Sequence, residues 1–510
     1  MRILFIARHF TYFRNYDSAI RELAARGHRI HLAVERRDKI GGIAGVEALA
    51  RDYPTLTFGM VPERRVDTWS GVARRLRLGL DYIRYLDPFY DDAPLHRIRA
   101  RERTPRLLIA LANPPLVRGR LWRDVIGRIL HALDRIVPPS ETVVEYIGEH
   151  KPDAVLVTPL VDLGSQQIDY LRAARLLGIP SGLAVWSWDH LTSKARVREY
   201  PERVLVWNET QRDEAIRLHR VPPARVVVTG AQCFDRWFAQ APSRSREAFC
   251  ASVGLPADRP LILWVCSGLV RGSPPEPPTV HEWLTWVRTS GDSMLEEASV
   301  LIRPHPSHAA EWQGLDWSAL GPVAISGENP VDERSRANYF DALYHSAVVV
   351  GLNTSAFIEA GIVGREVLAL LDRRFYDAQE GTPHFRYLLQ IGGGLLRTAR
   401  ERDAHLAQLA VAIRRAPPED HPHREFLELF VRPRGLDHPA TPDFVAAVEE
   451  LASCRVEVPR RSAAAAWRRA VLGGAMKLVS RIAGESLVRS PRELDPARQA
   501  RIAAVRERRE

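Results

Sequence analysis

The sequence predicts an α/β protein made of two Rossmann-like domains that face a central cleft, and three observations carry this prediction. Strand-length apolar runs alternate with helical stretches twice over, first from Arg2 and again from Pro260. Polar residues gather where those runs end, as in Arg303-Pro304-His305-Pro306. Residues 347–368 (AVVVGLNTSAFIEAGIVGREVL) change hydrophobic period twice within one short stretch. There, Val348, Val349 and Val350 read as a strand covered on both faces. Asn353, Thr354 and Ser355 then cap a short helix, and the next strand begins at Val367. Such a strand-turn-helix step leaves free backbone N–H groups where anions bind, although an ordinary capped turn has the same pattern.

Composition sets the limits. A chain of 510 residues is too long for one core and suits two or three globular units, while 45% apolar and 26% charged residues are soluble-protein values. No apolar run reaches the roughly 18 residues of a membrane span. The opening MRILFIARHF reads as a first strand and not as a signal peptide, so the expected location is the cytoplasm. The four cysteines, Cys233, Cys250, Cys266 and Cys454, form no CxxC pair, so no zinc site and no disulfide framework is expected. Of the net charge of +10, about +7 falls in residues 61–140 and about +8 in residues 455–510, so the basicity is regional. No nucleic-acid-binding signature accompanies it. The interleaved Trp, Tyr and Leu suit an anionic membrane face, and a solvated arginine-rich surface fits the same pattern.

The first domain is expected over residues 1–240. Residues 2–7 form its first strand, a helix follows near 16–26, and residues 29–34 form the second strand, giving a βαβ opening. Arg8, His9 and Arg14 fall near the carboxyl edge of the first strand. Residues 66–150 read as a helical insertion, cationic and amphipathic, suited either to a lipid surface or to packing on the sheet. Strands resume at 154–158 and 181–186. The loop Ser187-Trp188-Asp189-His190-Leu191-Thr192-Ser193-Lys194 then sets a carboxylate, an imidazole, hydroxyls and an ammonium just past a strand end. Two more strands, at 204–207 and 226–228, precede Gly230.

Residues 241–258 are rich in Ser, Pro and Ala and read as the linker. The second domain is expected over 259–455. It opens on PLILWVC, with Ser267 and Gly268 in its first loop, and continues through a helix at 280–290 and a strand at 299–302 that runs into RPHP. The segment around Gly381-Thr382-Pro383-His384 offers a turn that could approach a ligand closely. Residues 456–510 read as a basic amphipathic helix and tail.

Taken in order, RILFIARHF, RELAARGHRIHL, RVVVTG, IRPHP and NTSAFIEAGIVGREVL resemble the GT-B glycosyltransferase superfamily, especially bacterial capsule-polysaccharide and CDP-glycerol glycerophosphotransferase-like proteins. The islands span roughly residues 1–400. The resemblance implies a nucleotide-activated donor held by the second domain, an acceptor held by the first, and no obligatory metal or cofactor, the nucleotide-sugar being a co-substrate. It also implies that Arg303, His305, Asn353, Thr354, Ser355, Glu359, Ser267 and Gly268 serve the donor and its diphosphate. An inverting transfer needs a base on the acceptor side. By loop position Asp189 is the first choice and His9 the second, with Arg8, His190, Lys194, Gly230, Gly381, Thr382 and His384 as further cleft residues. On that reading Asp189→Asn nearly abolishes transfer. The WHGTP-like element of glycerophosphotransferases is absent, since the corresponding region reads WSWDHLTSK, which favours sugar transfer. The expected activity is therefore transfer of a sugar to a cell-surface polysaccharide or lipid-linked acceptor, at the inner face of the membrane if the basic helices bind there. A nucleotide-sugar 2-epimerase, a glycerophosphotransferase-like enzyme and a non-catalytic polysaccharide-assembly protein are the alternatives.

Overall fold

The computed structural model describes residues 1–37, 41–62, 67, 69–114, 119–269, 273–415, 421–459, 467, 470, 471, 474, 489–493 and 495. The basic helix expected over 456–510 lies almost wholly outside these residues. The chain forms two compact units, Met1–Val228 with Pro442–Glu510, and Thr229–Thr441.

The first unit is built on seven parallel strands: β1 (Arg2–Ala7), β2 (Arg29–Val34), β3 (Leu56–Met60), β4 (Ala154–Val157), β5 (Ser181–Ala184), β6 (Arg203–Val206) and β7 (Val226–Val228). Their order is β3-β2-β1-β4-β5-β6-β7, so the winding reverses between β1 and β4. Ile3 pairs with Ala154 and Ile6 with Val157 across that reversal. The central strand β4 reads as an unbroken apolar run because both its faces are covered, and it is buried at every residue. Phe5, Phe13 and Tyr16 pack edge to face beneath the sheet.

Five helices fill the connection between β3 and β4: Ser70–Arg84, Pro94–Arg103, Arg106–Ala112, Arg120–Ile136 and Glu141–His150. The first departs from the amphipathic reading. Its Arg77 and Asp81 are fully buried and its Arg84 nearly so, so these charges face protein and not solvent. The physical reason is pairing. Arg77 donates to Asp134 at 3.0 Å and to Asp169 at 2.8 Å, Arg198 pairs with Asp81, and Arg84 donates to the carbonyls of Leu191, Lys194 and Ala195. A buried charge persists only when paired in this way. The helix is thereby fixed on the loops that follow β4 and β5.

The second unit is built on six parallel strands: β8 (Leu261–Val265), β9 (Ser299–Arg303), β10 (Val323–Ile325), β11 (Val348–Gly351), β12 (Glu366–Leu370) and β13 (Arg397–Ala399). Their order, β10-β9-β8-β11-β12-β13, repeats the first sheet's pattern, with the reversal between β8 and β11. Both sheets are thus doubly wound α/β layers. Trp264 and Trp283 are fully buried in this core with ring centroids 4.7 Å apart, and the Trp283 indole donates to His405.

Gly351 shows how tightly the reversal is packed, since a Cβ there would sit 2.6 Å from the Val265 carbonyl oxygen. Gly351→Ala is expected to cost about 1–3 kcal/mol through overpacking. Urea unfolding should show this as a lower midpoint at unchanged slope.

Two boundaries differ from expectation. Residues 442–455 belong to the first unit, not to the second, because Phe444, Val445, Val448 and Leu451 of the helix Ala440–Leu451 pack into its core. The expected linker at 241–258 lies within the second unit and carries the helix Arg246–Val253, capped by Ser245 with Phe249 and Cys250 buried. Two inward residues are too few to register as a period in the sequence.

Candidate functional site

In the second unit the reversal sets the loops after β8 and β11 side by side at the carboxyl edge of the sheet, where doubly wound folds bind ligands. The Asn353 N–H donates to Ser267 Oγ at 3.1 Å, tying one loop to the other. Asn353 Nδ2 donates to the Ala378 carbonyl, whereas its buried Oδ1 is without a hydrogen-bond partner among the described residues. Thr354 Oγ1 accepts from the Ala356 N–H at 3.3 Å, and Ser355 is exposed.

Arg303 ends β9 and is almost fully buried. Its guanidinium lies 4.6 Å over the Tyr339 ring and donates to the Glu328 carbonyl at 2.8 Å and to Asn338 Oδ1 at 3.3 Å. The Tyr339 hydroxyl donates to Glu359. Gly327 makes this arrangement possible, for a Cβ there would meet Arg303 Cγ at 2.6 Å. Burial pushes the Arg303 pKa down, while Glu359 and Glu328 act in the opposite sense. Arg303 is therefore a desolvated cation without a carboxylate salt bridge among the described residues, a state that favours an anionic ligand. His305 follows it. Its Nδ1 accepts from the Ser307 N–H, and its Nε2 lies 3.0 Å from where a side chain at Gly268 would start. The bare α-carbon at 268 is what lets the imidazole approach the loop after β8.

Behind that loop is Glu276. It accepts from the Ser267 N–H at 2.9 Å and from the Trp264 indole at 3.0 Å, and burial pushes its pKa up to about 7. Because the folded value exceeds the unfolded one, this group's stabilising contribution is full below the unfolded value of about 4.3 and is lost as pH rises through about 7. Glu276→Gln offers one acceptor to two donors, at a cost of about 1–3 kcal/mol. Thermal melts should show the variant less stable at pH 5, with the gap narrowing by pH 8.

In the first unit the corresponding loops follow β1 and β4. Arg8 pairs with Asp162, and the ring of His9 meets Tyr12 at 4.6 Å, which in turn meets Trp186 at 4.9 Å. Glu35 comes directly after β2, its N–H donating to the Ala7 carbonyl at 3.2 Å. The hydroxyl of Tyr170, on the helix after β4, donates to its carboxylate at 3.3 Å. This contact spans the end of β1. Burial raises the Glu35 pKa to about 7, with Arg8, Arg36 and the hydrogen bond from Tyr170 opposing the shift.

Several predicted site residues are committed to structure. Asp189 accepts from the hydroxyls of Ser187 and Ser193, the latter at 2.7 Å, and pairs with Lys194 at 3.2 Å. Its carboxylate holds its own loop together, which leaves it poorly placed to take up a proton. His190 is fully buried; it accepts from the Trp186 N–H, donates to the Pro159 carbonyl, and is lowered by burial to about 4, so it is a neutral strut and not a cleft residue. Gly230 faces Ala440, with a Cβ position 2.6 Å from that residue's Cβ, and so packs a chain crossing. Gly381 abuts the Tyr376 backbone, and Thr382 donates to the Gln379 carbonyl within its own turn. His384 is buried and Arg14 is exposed. The residues that sequence reasoning missed are Glu35, Tyr170, Glu276, Asn338 and Tyr339. Glu35 was the most accessible of these, being a carboxylate at a strand end, the same signal that marked Arg303.

No protein-family profile and no curated protein matches the chain. Solved structures do. The chain is similar to the UDP-GlcNAc 2-epimerase from Neisseria meningitidis bound to UDP-GlcNAc, at 12% identity and a TM-score of 0.47, covering 88% of this chain and 100% of that one. It is also similar to a glycosyltransferase from Rickettsia africae, at 10% identity and a TM-score of 0.45 over 94% of this chain and 99% of that one. A third similarity is to MurG from Acinetobacter baumannii, at 13% identity and a TM-score of 0.43 over 88% and 99%.

Proposed function

We propose that the protein is a glycosyltransferase of the GT-B type that moves a sugar from a nucleotide-activated donor to a polysaccharide or lipid-linked acceptor. The observation that carries this reading is Arg303, a buried guanidinium at a strand end beside the reversal of the second sheet, together with His305, Ser267, Asn353 and the Tyr339–Glu359 pair. These are the groups a nucleoside diphosphate-sugar needs: a cation for the departing diphosphate, and a carboxylate and amide for hydroxyls.

In this reading Arg303 and the N–H groups of Thr354 and Ser355 stabilise charge on the leaving diphosphate, and Glu359, oriented by Tyr339, accepts from donor hydroxyls. The acceptor hydroxyl loses its proton to Glu35 on the first unit. A carboxylate with a pKa near 7 suits that task better than Asp189, whose oxygens already accept from two hydroxyls and lie against an ammonium. His9 stands second. The mechanism needs no metal.

The test is incubation of purified protein with a panel of nucleotide sugars, with and without lipid-linked or glycan acceptors, following nucleotide release. Acceptor-dependent release of UDP, GDP, CMP or CDP is expected. Conversion of the donor without acceptor would replace this reading with epimerisation, and tight binding without turnover would replace it with a scaffold.

A further inference from the structure

The first unit concentrates arginines where its loops end. Arg8 follows β1. Arg74, on the helix Ser70–Arg84, lies against Gly164 in the loop after β4, with its Cγ 3.4 Å from that residue's Cβ position. Arg99, on Pro94–Arg103, donates to the Ser193 carbonyl in the loop after β5 at 2.8 Å, and its buried Nε has no hydrogen-bond partner among the described residues. Arg103 ends the same helix, against which the turn Pro491–Glu493 packs and brings Arg492. The Arg106 N–H donates to the Arg489 carbonyl at 3.4 Å, and Arg74 pairs with Glu493 at 3.3 Å, so the turn is joined to both helices. Four separate stretches of chain therefore bring arginines together, Arg492, Arg99, Arg74 and Arg8 all acting on Arg103, with Arg8, Arg74 and Arg99 set against the loops at the carboxyl edge of the sheet.

Among the described residues Asp162 pairs with Arg8 and Glu493 with Arg74, and Arg8 also acts on Glu35. Arg99 and Arg103 form no ion pair with a carboxylate among the described residues. Guanidiniums stay protonated, so packing them together is unfavourable unless an anion compensates. Arg103 registers the strain: burial, then Arg492, Arg99, Arg74 and Arg8, lower its pKa to about 10. The helical insertion therefore supplies positive charge to the acceptor-side edge of the sheet, close to Arg8 and Glu35.

We infer that this cluster of Arg8, Arg74, Arg99, Arg103 and Arg492 binds a phosphate-bearing group of the acceptor, so that the acceptor is an anion. The inference rests on the acceptor-side reading of the first unit, but its test does not require turnover. The shared chemistry is a phosphate oxygen cluster, which either a soluble phosphorylated acceptor or a phospholipid-like headgroup would present.

Full-length protein is titrated calorimetrically with inorganic pyrophosphate, in the wild type and in Arg103→Gln, Arg74→Gln and Arg303→Gln. Of the two binding events expected in wild type, one should weaken about tenfold or more in the first two variants, each losing one charge-assisted contact, and persist in Arg303→Gln, which removes the other. The melting temperature of Arg103→Gln without ligand should equal or exceed that of wild type, because a repelling charge is removed, and pyrophosphate should raise it less. A second arm measures cosedimentation with phosphatidylcholine vesicles with and without phosphatidylglycerol. Loss of anionic-vesicle binding in Arg103→Gln, with pyrophosphate affinity unchanged, assigns the phosphate to a lipid headgroup. The inference is overturned if both arginine variants bind pyrophosphate and anionic vesicles as wild type does. Should Arg103→Gln fail to fold, Arg74→Gln, on a half-exposed side chain, decides alone. Absence of any transfer activity would overturn the glycosyltransferase reading and leave this result standing.

Discussion

Glu35→Gln is expected to lower transfer by about 10²- to 10⁴-fold, the range by which a positioned base accelerates proton removal, while donor affinity and fold are kept. The replacement is isosteric and still accepts from the Tyr170 hydroxyl, so little else should change. The pH profile supplies the sharper readout. Burial raises the folded pKa to about 7, and the base works only when ionised, so wild-type turnover should climb as pH rises through about 7 and then level off. In Glu35→Gln that limb should disappear. Stability runs the other way: the ionised carboxylate is desolvated, so the wild type loses stability relative to the glutamine variant as pH rises from about 4.3 through about 7. A variant more stable than wild type at pH 8 and almost inactive marks a catalytic role, since a purely structural carboxylate would give the opposite pairing. Asp189→Asn is the control. It removes an acceptor from two hydroxyls and a partner from Lys194, so it should lower the melting temperature and leave the shape of the pH profile intact. Retention of the alkaline limb in Glu35→Gln, or its loss in Asp189→Asn, would return the role to Asp189.

The contrast between those two carboxylates shows what a strand-end argument can read. Apolar runs such as residues 348–350 and 261–265 identify buried parallel strands because burial on both faces leaves no alternation. The loops that follow them were located on the same signal. Short edge strands were less legible: β10, at Val323–Ile325, is half-exposed and three residues long, too short to mark a strand by its pattern. Which loop residues stay available is a question of partners, and partners lie far away in sequence. His190 is spent on Pro159, 31 residues away, and Gly230 on Ala440 at the other end of its unit. The arginines of the insertion show the same limit, since only the fold reveals that Arg77 and Arg84 face inward to carboxylates and carbonyls while Arg74 and Arg99 lie near enough to Arg103 to repel it. Charge counts alone treat all five alike.

Arg303→Gln is expected to lower transfer by about 10²- to 10³-fold, the usual loss when one preorganised donor to a developing negative charge is removed. The buried guanidinium is held in place by the Tyr339 face, the Glu328 carbonyl and Asn338, so it need not reorganise as charge builds on the diphosphate. Glutamine keeps a donor but no charge and cannot span the same partners. The loss should fall mainly on kcat if the guanidinium acts on the departing diphosphate, and on KM if it only binds the ground state. Arg303→Lys separates charge from geometry. A lysine restores the charge but has neither the planar fork nor the stacking surface over Tyr339, so rescue should be partial. Donor analogues supply a further check, since affinity for a nucleoside monophosphate should change far less than affinity for the diphosphate. In the same assays EDTA should leave wild-type turnover unchanged if, as proposed, the compensating charge comes from Arg303. An Arg303→Gln enzyme with undiminished kcat, or a wild type silenced by EDTA and restored by magnesium, would shift the diphosphate's countercharge from this guanidinium to a cation.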